Sequence, residues 1–565
     1  MRATARFVWH YLEMVIAMFA GMFALGALWD LVLPELTRFD VRTLIMAADM
    51  TVGMAAWMKV RRHGWAPIGE MSLAMMLPFV ILLVPYWFGV LSPMVVMSAG
   101  HAGMFVLMLA AMLIRRQEYT RHQPRWVKPA GFALAVLLLP GAVSAVSTVG
   151  KFKAQYAARA DTVTASPVRR AHDPAKPTVA LVTSGNGTNV TDLLGPYEVL
   201  ASTGKINAYV VSPGSRVIPL TGGLDLVPDY TFAEFDSLMA AQHDRAEAVV
   251  VPALNKPEPA ELGAITSWIR RQHAAGAIAM SVCNGARTLA ATGLLDGRPA
   301  TSHWYRLPGL RSDFTAVKWT DGVRYVDDGD VITAAGVLSG VDGALRLVER
   351  FFDTETARTA AGAVQWRHYS PGAAAAIPVY SWELPDIAMI LNASWQPGPT
   401  TIGVQLTAGV GELELAAPFT SYTEQTVIGR TVSIGSGPIL SAHGLTFVPR
   451  AANADGVDRL VVPGAAAARA HAVPGGVYLH TAPGFAFDPV ISDITRTYDV
   501  RTATEAIKTL QYPEGDVRLA GSAWPWGATL VPLGLALLGL GVTVAGVKLV
   551  RRRKGSAPAR EPVSV

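Results

Sequence analysis

Apolar residues gather in six long runs, roughly 9–29, 43–59, 71–91, 94–114, 130–148 and 525–549. A helix needs about 20 apolar residues to cross a bilayer. The pattern therefore predicts five spans before residue 150 and one near the end, with Asp49 interrupting the second. From Pro177 the period changes. Short buried strands (Val179–Thr183, Ala208–Val211, Ala248–Val251, Ala277–Ser281) alternate with helical stretches (Leu193–Thr203, Ala260–Ala275, Asn284–Thr292). Apolar strands alternating with helices predict a parallel sheet covered on both faces. The fold class expected is an α-helical membrane bundle plus α/β.

Composition supports this division. Apolar residues make up 51% of the 565 and charged ones 16%, against about 25% charged in an ordinary soluble domain. That excludes a disordered chain, a coiled coil and a plain cytosolic enzyme. The net charge of +5 comes without a basic block of the kind that binds nucleic acid. Lys and Arg cluster at Arg2 and Arg6, at Lys59, Arg61 and Arg62, at Arg115, Arg116, Arg121, Arg125 and Lys128, and at Arg551–Lys554. With six spans these clusters fall on one side, which the positive-inside rule makes cytoplasmic. The expected location is the cell membrane, multi-pass, with both termini cytoplasmic and residues 150–524 outside.

Sixteen of the 19 methionines precede residue 115. Met14, Met18 and Met22 recur every four residues, as do Met50, Met54 and Met58, and Met104, Met108 and Met112, each a stripe on one helix face. His10 and Glu13 open the first stripe, Asp49 adjoins the second, and His101 opens the third. Two readings stand side by side. Methionine is a flexible packing residue between helices. Thioethers and imidazoles are also soft ligands that suit copper(I), which makes His10, Glu13, Met14, Met18, Asp49, Met50, His101 and Met104 candidate ligands. Apart from copper, no cofactor is expected.

The sharpest chemical feature is Ala277-Ile-Ala-Met-Ser-Val-Cys283-Asn284-Gly285-Ala286, a strand running into the only cysteine, a small-residue turn and a helix. That is the layout of a nucleophile elbow, and a helix N-terminus behind it is expected to lower the thiol pKa. A single cysteine excludes an internal disulfide. The run from Ser281 to His303-Trp304 resembles the ThiJ/PfpI family of the class I glutamine-amidotransferase-like superfamily, in the branch of isonitrile hydratases and AraC-type regulators. Asp192-Leu-Leu-Gly-Pro-Tyr-Glu198, Val249-Val-Val-Pro252 and Gly336-Val-Leu-Ser-Gly-Val-Asp342 agree with it in order.

The resemblance implies a flavodoxin-like domain with Cys283 as nucleophile and Asp192 and His303 as proton-moving partners. It also implies an anion pocket from the backbone of Asn284 and of Ala253 or Leu254, with Gly285 at the turn. The chain departs from the family where Ala253-Leu254 replaces two glycines and where Asn284 replaces threonine.

Residues 400–464 repeat 178–252 in weaker form. Glu414-Leu-Ala-Ala-Pro418 parallels Asp192-Leu-Leu-Gly-Pro196, Gly444-Leu-Thr-Phe-Val-Pro449 parallels Gly223-Leu-Asp-Leu-Val-Pro228, and Leu460-Val-Val-Pro463 parallels Val249-Val-Val-Pro252. Ordered matches of this kind indicate duplication. The second copy lacks a cysteine and an elbow. The expected map is a bundle (1–150), a tether (151–176), the elbow domain (177–352), a linker (353–399), a degenerate second flavodoxin-like parallel-sheet domain (400–515), a final span (525–549) and a basic tail (550–565). The two copies are expected to pair as an internal pseudo-dimer, with the lipid bilayer and a small molecule as partners. Three functions remain open: a thiol enzyme acting on a small carbonyl, amide or isonitrile compound, a non-catalytic small-molecule sensor, and copper or redox handling by the bundle.

Overall fold

The computed structural model describes residues 2–32, 39–87, 93–115, 119, 127–157, 165–214 and 216–555. The chain divides into two compact units, Met1–Leu134 and Ala135–Val565.

In the first unit, helices Arg2–Val32, Phe39–Val60, Trp65–Trp87 and Pro93–Ile114 each pack on the next. The first two meet through Gly21 and Gly53, where a Cβ on Gly53 would lie 2.4 Å from the Ala17 carbonyl oxygen. Ten methionines, including Met14, Met18, Met50, Met54, Met58 and Met104, are fully buried in one cluster. The stripes seen in the sequence thus face inward, where an unbranched side chain fills irregular gaps between helices.

The expectation of six spans is met only in part. Helices occupy all six positions, the last two being Val127–Ala154 and Trp526–Gly555. Among the described residues one helix, Trp65–Trp87, is long and apolar enough to cross a membrane, and Ala99–Ile114 and Trp526–Val542 are shorter apolar stretches. Charged positions explain part of the shortfall: Asp40, Asp49 and Lys59 interrupt Phe39–Val60. Arg116, Arg121 and Arg125 and the chain after residue 555 lie outside the described residues.

The second unit holds a seven-stranded sheet. Its order is Tyr325–Asp327, Val331–Ala334, Ile278–Val282, Ala248–Val251, Thr178–Val182, Asn207–Ser212 and Tyr230–Thr231, with only Tyr325–Asp327 antiparallel. This is the flavodoxin-like parallel sheet. Residues after 400 build a smaller sheet from Arg430–Ile434, Thr401–Gln405, Arg459–Val462 and Val477–Tyr478, again parallel.

The two halves are joined along matching segments. Leu224–Val227 pairs antiparallel with Thr446–Val448, the same motif in each copy, so that Leu226 faces Phe447. Helix Val190–Ser202 packs on helix Glu412–Phe419. The Thr191 hydroxyl meets that of Thr420, and the Leu413 N–H donates to Glu198. The match that equates Asp192 with Glu414 also equates Thr191 with Leu413 and Glu198 with Thr420, so these two contacts are the same contact seen from either side. One apolar core runs through both halves, from Val179 and Leu345 to Phe419, Phe447 and Ile507.

Residues 353–399 are more than the linker expected. They carry helices Thr354–Ala363 and Ile387–Trp395. Trp366 is buried and donates its indole N–H to Asp342 (2.9 Å), whereas Trp382 stays exposed.

Candidate functional site

Strand Ile278–Val282 ends at Cys283, whose backbone takes the left-handed conformation (φ 55°). A non-glycine residue there carries strain of the order of 1 kcal/mol or more and marks a tight, over-determined turn. The turn is pinned on both sides. The Cys283 N–H donates to the Ala334 carbonyl (3.0 Å), and the Cys283 carbonyl accepts from the Ser302 hydroxyl (2.7 Å). Gly285 follows because nothing larger fits: a Cβ would lie 2.0 Å from the Val251 carbonyl oxygen. The chain thereby turns sharply across the end of the neighbouring strand and aims the Cys283 side chain into a cavity of about 590 Å³.

Asp192 comes from helix Val190–Ser202. Asn189 caps that helix, its side-chain oxygen accepting from the N–H groups of Thr191 (3.1 Å) and Asp192 (3.0 Å). Asp192 Oδ2 accepts from the Ala253 N–H (3.1 Å). The Cys283 thiol is the carboxyl's hydrogen-bond neighbour, and Oδ1 is buried without another partner. Burial pushes the Asp192 carboxyl well above its usual range, and the Glu424 charge adds to this.

Glu424 comes from the second half, on a π-helical segment Thr420–Gln425. It lines the same cavity, and both its oxygens accept from the Asn189 side-chain amide at 2.8 Å. Burial raises its pKa to about 7. One asparagine thus caps the helix bearing Asp192 and holds a carboxyl supplied by the other half.

His303 lines the cavity too. Its Nε2–H donates to the Thr509 carbonyl (2.7 Å), again from the second half, leaving Nδ1 buried without a donor. Burial lowers its pKa to about 4, so the ring is neutral near pH 7. Tyr156, from the expected tether, Tyr305 and Arg306 complete the wall, with the Arg306 guanidinium 4.4 Å from the Tyr305 ring centre.

Three expectations need correction. The thiol pKa is raised, not lowered. Burial is the main cause, followed by the charges of Asp192 and Glu424, while Arg306 and the Asn284 N–H oppose them weakly. The helix behind the cysteine, Gly285–Ala290, has six residues, too short for its dipole to outweigh two buried carboxyls. The Ala253 N–H is committed to Asp192, which removes it from the anion pocket. Gly285 does not line the cavity; Asn284, Ala253 and Leu254 do.

Several of the candidate copper ligands already have partners within the protein. His10 Nε2 lies 3.2 Å from His63 Nε2, Glu13 pairs with Arg61, and His101 donates to the Met97 carbonyl (2.7 Å). Met14, Met18, Met50 and Met104 share the buried methionine cluster, and Asp49 is buried on its own helix. Among the described residues, the one group of three His, Cys, Asp or Glu side chains with mutually close ligand atoms is Glu198, Glu412 and His443. Its atoms are already engaged, His443 Nδ1 with Glu412 (2.7 Å) and Glu198 with the Leu413 N–H.

The second copy holds the ghost of the same site. Val251 stands beside Ser281 in the first sheet as Val462 stands beside Tyr478 in the second, each just before a proline. Two residues further on, His480 takes the place of Cys283. Its Nδ1 accepts from the Gly464 N–H and its Nε2–H donates to the Ala486 carbonyl, both at 3.0 Å. Glu414, in the place of Asp192, accepts from the N–H groups of Gly411 and Ala465. The His480 ring nitrogens and both Glu414 oxygens are thus engaged within the protein.

Sequence reasoning found Cys283, Asp192 and His303 because a motif carries each. It missed Glu424, Asn189 and Tyr156. Glu424 sits in the copy without an elbow, in Ser421-Tyr-Thr-Glu-Gln425, a stretch with no periodic signal.

Comparison with known proteins bears on the same segment. The DJ-1/PfpI family model matches residues 178–350. The isonitrile hydratase of Pseudomonas putida is 34% identical over 170 residues, which is 30% of this chain and 69% of that protein. The HTH-type transcriptional regulator GlxA of Rhizobium meliloti is 26% identical over 171 residues, 30% of this chain and 50% of that one. Among solved structures, a ThiJ/PfpI family protein from Pseudomonas syringae shares 26% identity, covering 35% of this chain and 79% of its own, with a TM-score of 0.29. With the elbow, its acidic partner and the parallel sheet in one domain, the chain belongs to the DJ-1/PfpI family.

Proposed function

We propose that this chain is a membrane-anchored thiol enzyme whose Cys283 attacks a small electrophile of the carbonyl, amide or isonitrile type. One observation carries the reading: the sole cysteine occupies a strained turn beside a buried carboxyl, at the wall of a cavity large enough for a small molecule. A buried acid with a raised pKa is matched to proton transfer near neutrality.

In the proposed reaction the thiol proton passes to Asp192 as the sulfur bonds to the electrophilic carbon. Asp192 then returns that proton to the carbon of an isonitrile, giving a thioimidate, or to the nitrogen of an amide, whose amine leaves to give a thioester. Water attacks the thioester or thioimidate, and the sulfur leaves with a proton. For an isonitrile, the sum is addition of one water. The neutral His303, with a free lone pair on Nδ1, is the base suited to activating that water. The Asn284 N–H, which points to the sulfur, and the N–H of Leu254 at the cavity wall are the donors suited to the developing charge. The second half acts as a fused partner, an internal pseudo-dimer that supplies Glu424 and the Thr509 carbonyl.

The helix Trp65–Trp87 and the apolar stretch Trp526–Val542 support anchoring, and the one-sided basic clusters support a cell-membrane protein with its site outside the cytoplasm. Turnover of isonitriles and activated amides by the purified full chain tests the reading. Wild type is expected to turn over at least one of them, and Cys283→Ala none. If turnover persists in Cys283→Ala, the enzymatic reading fails.

The high thiol pKa favours one alternative, a sensor that binds the same molecules without bond formation. Ligand affinity unchanged in Cys283→Ala, with no turnover by wild type, would establish it.

A further inference from the structure

Helix Ile387–Trp395 is turned inside out for a helix on a water-soluble surface. Its small and polar side chains point inward: Ala388, Asn392, Ala393 and Ser394 are buried. The Asn392 side-chain amide donates to the Thr502 hydroxyl (2.8 Å), and the Asn392 backbone carbonyl accepts from Lys151 Nζ (2.6 Å). Two of its large apolar side chains, Ile387 and Ile390, point outward. Leu384, just before it, is 92% exposed, Ile390 62% and Ile387 49%. These three stand at three-residue spacing and share one face. Trp382, close by in the chain, is 59% exposed. Soluble proteins seldom leave such a contiguous patch to water.

What covers the patch follows from its neighbours. The helix packs against Trp526–Gly555, which exposes Leu530, Leu533 and Leu537, and bonds to Val127–Ala154 through Ser144 and Ser147, beside the exposed Val146 and Val149. Both flanking helices need hydrocarbon for their own outward faces, and the patch continues them. A short helix with an apolar outer face and a tryptophan at its edge suits the interfacial layer of a bilayer. The Cys283 cavity reaches the elements that carry this patch, since Phe152 of helix Val127–Ala154, Met389 of helix Ile387–Trp395 and the exposed Trp382 are among its lining residues.

We propose that the cavity takes its substrate from the bilayer: a lipophilic electrophile enters past Phe152, Trp382 and Met389 while Leu384, Ile387 and Ile390 rest in the membrane interface. The proposal rests on the anchored thiol-enzyme reading above and narrows its substrate class.

The single cysteine makes the test direct. The full chain in phosphatidylcholine vesicles is treated with N-ethylmaleimide or N-dodecylmaleimide at equal total concentration, and modification of Cys283 is followed by intact mass. Each reagent adds across its double bond: the sulfur bonds one ring carbon, the thiol proton ends on the other, and nothing leaves. Because the alkyl chain concentrates its reagent in the bilayer, the dodecyl reagent is expected to react at least about tenfold faster. Ile387→Glu with Ile390→Glu is expected to bring the ratio near one while the N-ethylmaleimide rate holds, and Ile387→Leu with Ile390→Leu to keep the wild-type ratio. A wild-type ratio near one in protein that stays on carbonate-washed vesicles overturns the proposal and leaves anchoring intact. A ratio unmoved by the glutamates overturns it equally. Protein that washes off the vesicles overturns the anchored reading beneath it, and a Cys283 that neither reagent modifies in folded protein overturns the thiol reading.

Discussion

At the scale of single residues, the site is a set of acids crowded into one cavity. Asp192, Cys283 and Glu424 each resist ionisation because burial removes water, and the Glu424 charge adds to this at Asp192 and Cys283. Glu424 has the largest consequence for pH. Its folded pKa of about 7 lies above the ordinary carboxylate value of 4.5. A raised acid contributes its stability fully below the unfolded pKa and loses it as pH rises through the folded one. Urea unfolding is therefore expected to show stability declining between about pH 4.5 and 7, and Glu424→Gln is expected to flatten that decline. Asp192→Asn keeps the shape of the side chain and removes the proton acceptor. Turnover is expected to fall by about a hundredfold or more, with the fold unchanged by circular dichroism.

At the scale of elements, two short segments position the chemistry. Gly285 lets the elbow helix press against strand Ala248–Val251, and Gly285→Ala would set a methyl 2.0 Å from a backbone oxygen that cannot swing away. A loss of about 1–3 kcal/mol in unfolding free energy is expected, with slower turnover as the turn shifts. Asn189→Ala is expected to cost about 1 kcal/mol as a lost helix cap and to release Glu424, so that its stability effect and its effect on turnover part company. How much of this was legible in the sequence follows from the same elements. Strand, cysteine, small turn and helix form a local pattern, and so does the Asp192 helix, so a single chain displays both. The Asn189–Glu424 contact joins positions far apart in sequence and depends on how two copies pack, which no local period records. A lowered thiol pKa is what a helix N-terminus alone implies, but this helix has only six residues and lies beside two buried carboxyls that no local pattern announces. The apolar runs showed where six helices lie, but apolar length alone singles out only Trp65–Trp87 as a crossing segment.

At the scale of the whole molecule, the two halves from residue 177 onward share a core and a site. Val179 and Phe447 belong to one buried cluster, and the antiparallel strand pair and the buried Arg450–Asp225 ion pair (2.6 Å) tie the halves together. Arg450→Ala would leave the fully buried Asp225 without that partner, at an expected cost of about 3–5 kcal/mol. Since Glu424 and the Thr509 carbonyl belong to the second half, the same change is expected to lower turnover, and calorimetry should show both halves unfolding in one transition. The second copy persists on this account because it walls the first copy's cavity, even though its own counterpart of the site is filled by His480 and Glu414. The central claim is that folded protein presents Cys283 to small electrophiles under the control of buried carboxyls. The most direct test is the rate of Cys283 alkylation by iodoacetamide in the intact chain, followed by mass from pH 6 to 10, for wild type and Glu424→Gln. The account predicts modification of folded protein, slow near neutrality and rising steeply with pH, with the Glu424→Gln curve displaced to lower pH. Alkylation that occurs only at the rate of unfolding, with the two curves superimposed, would contradict it.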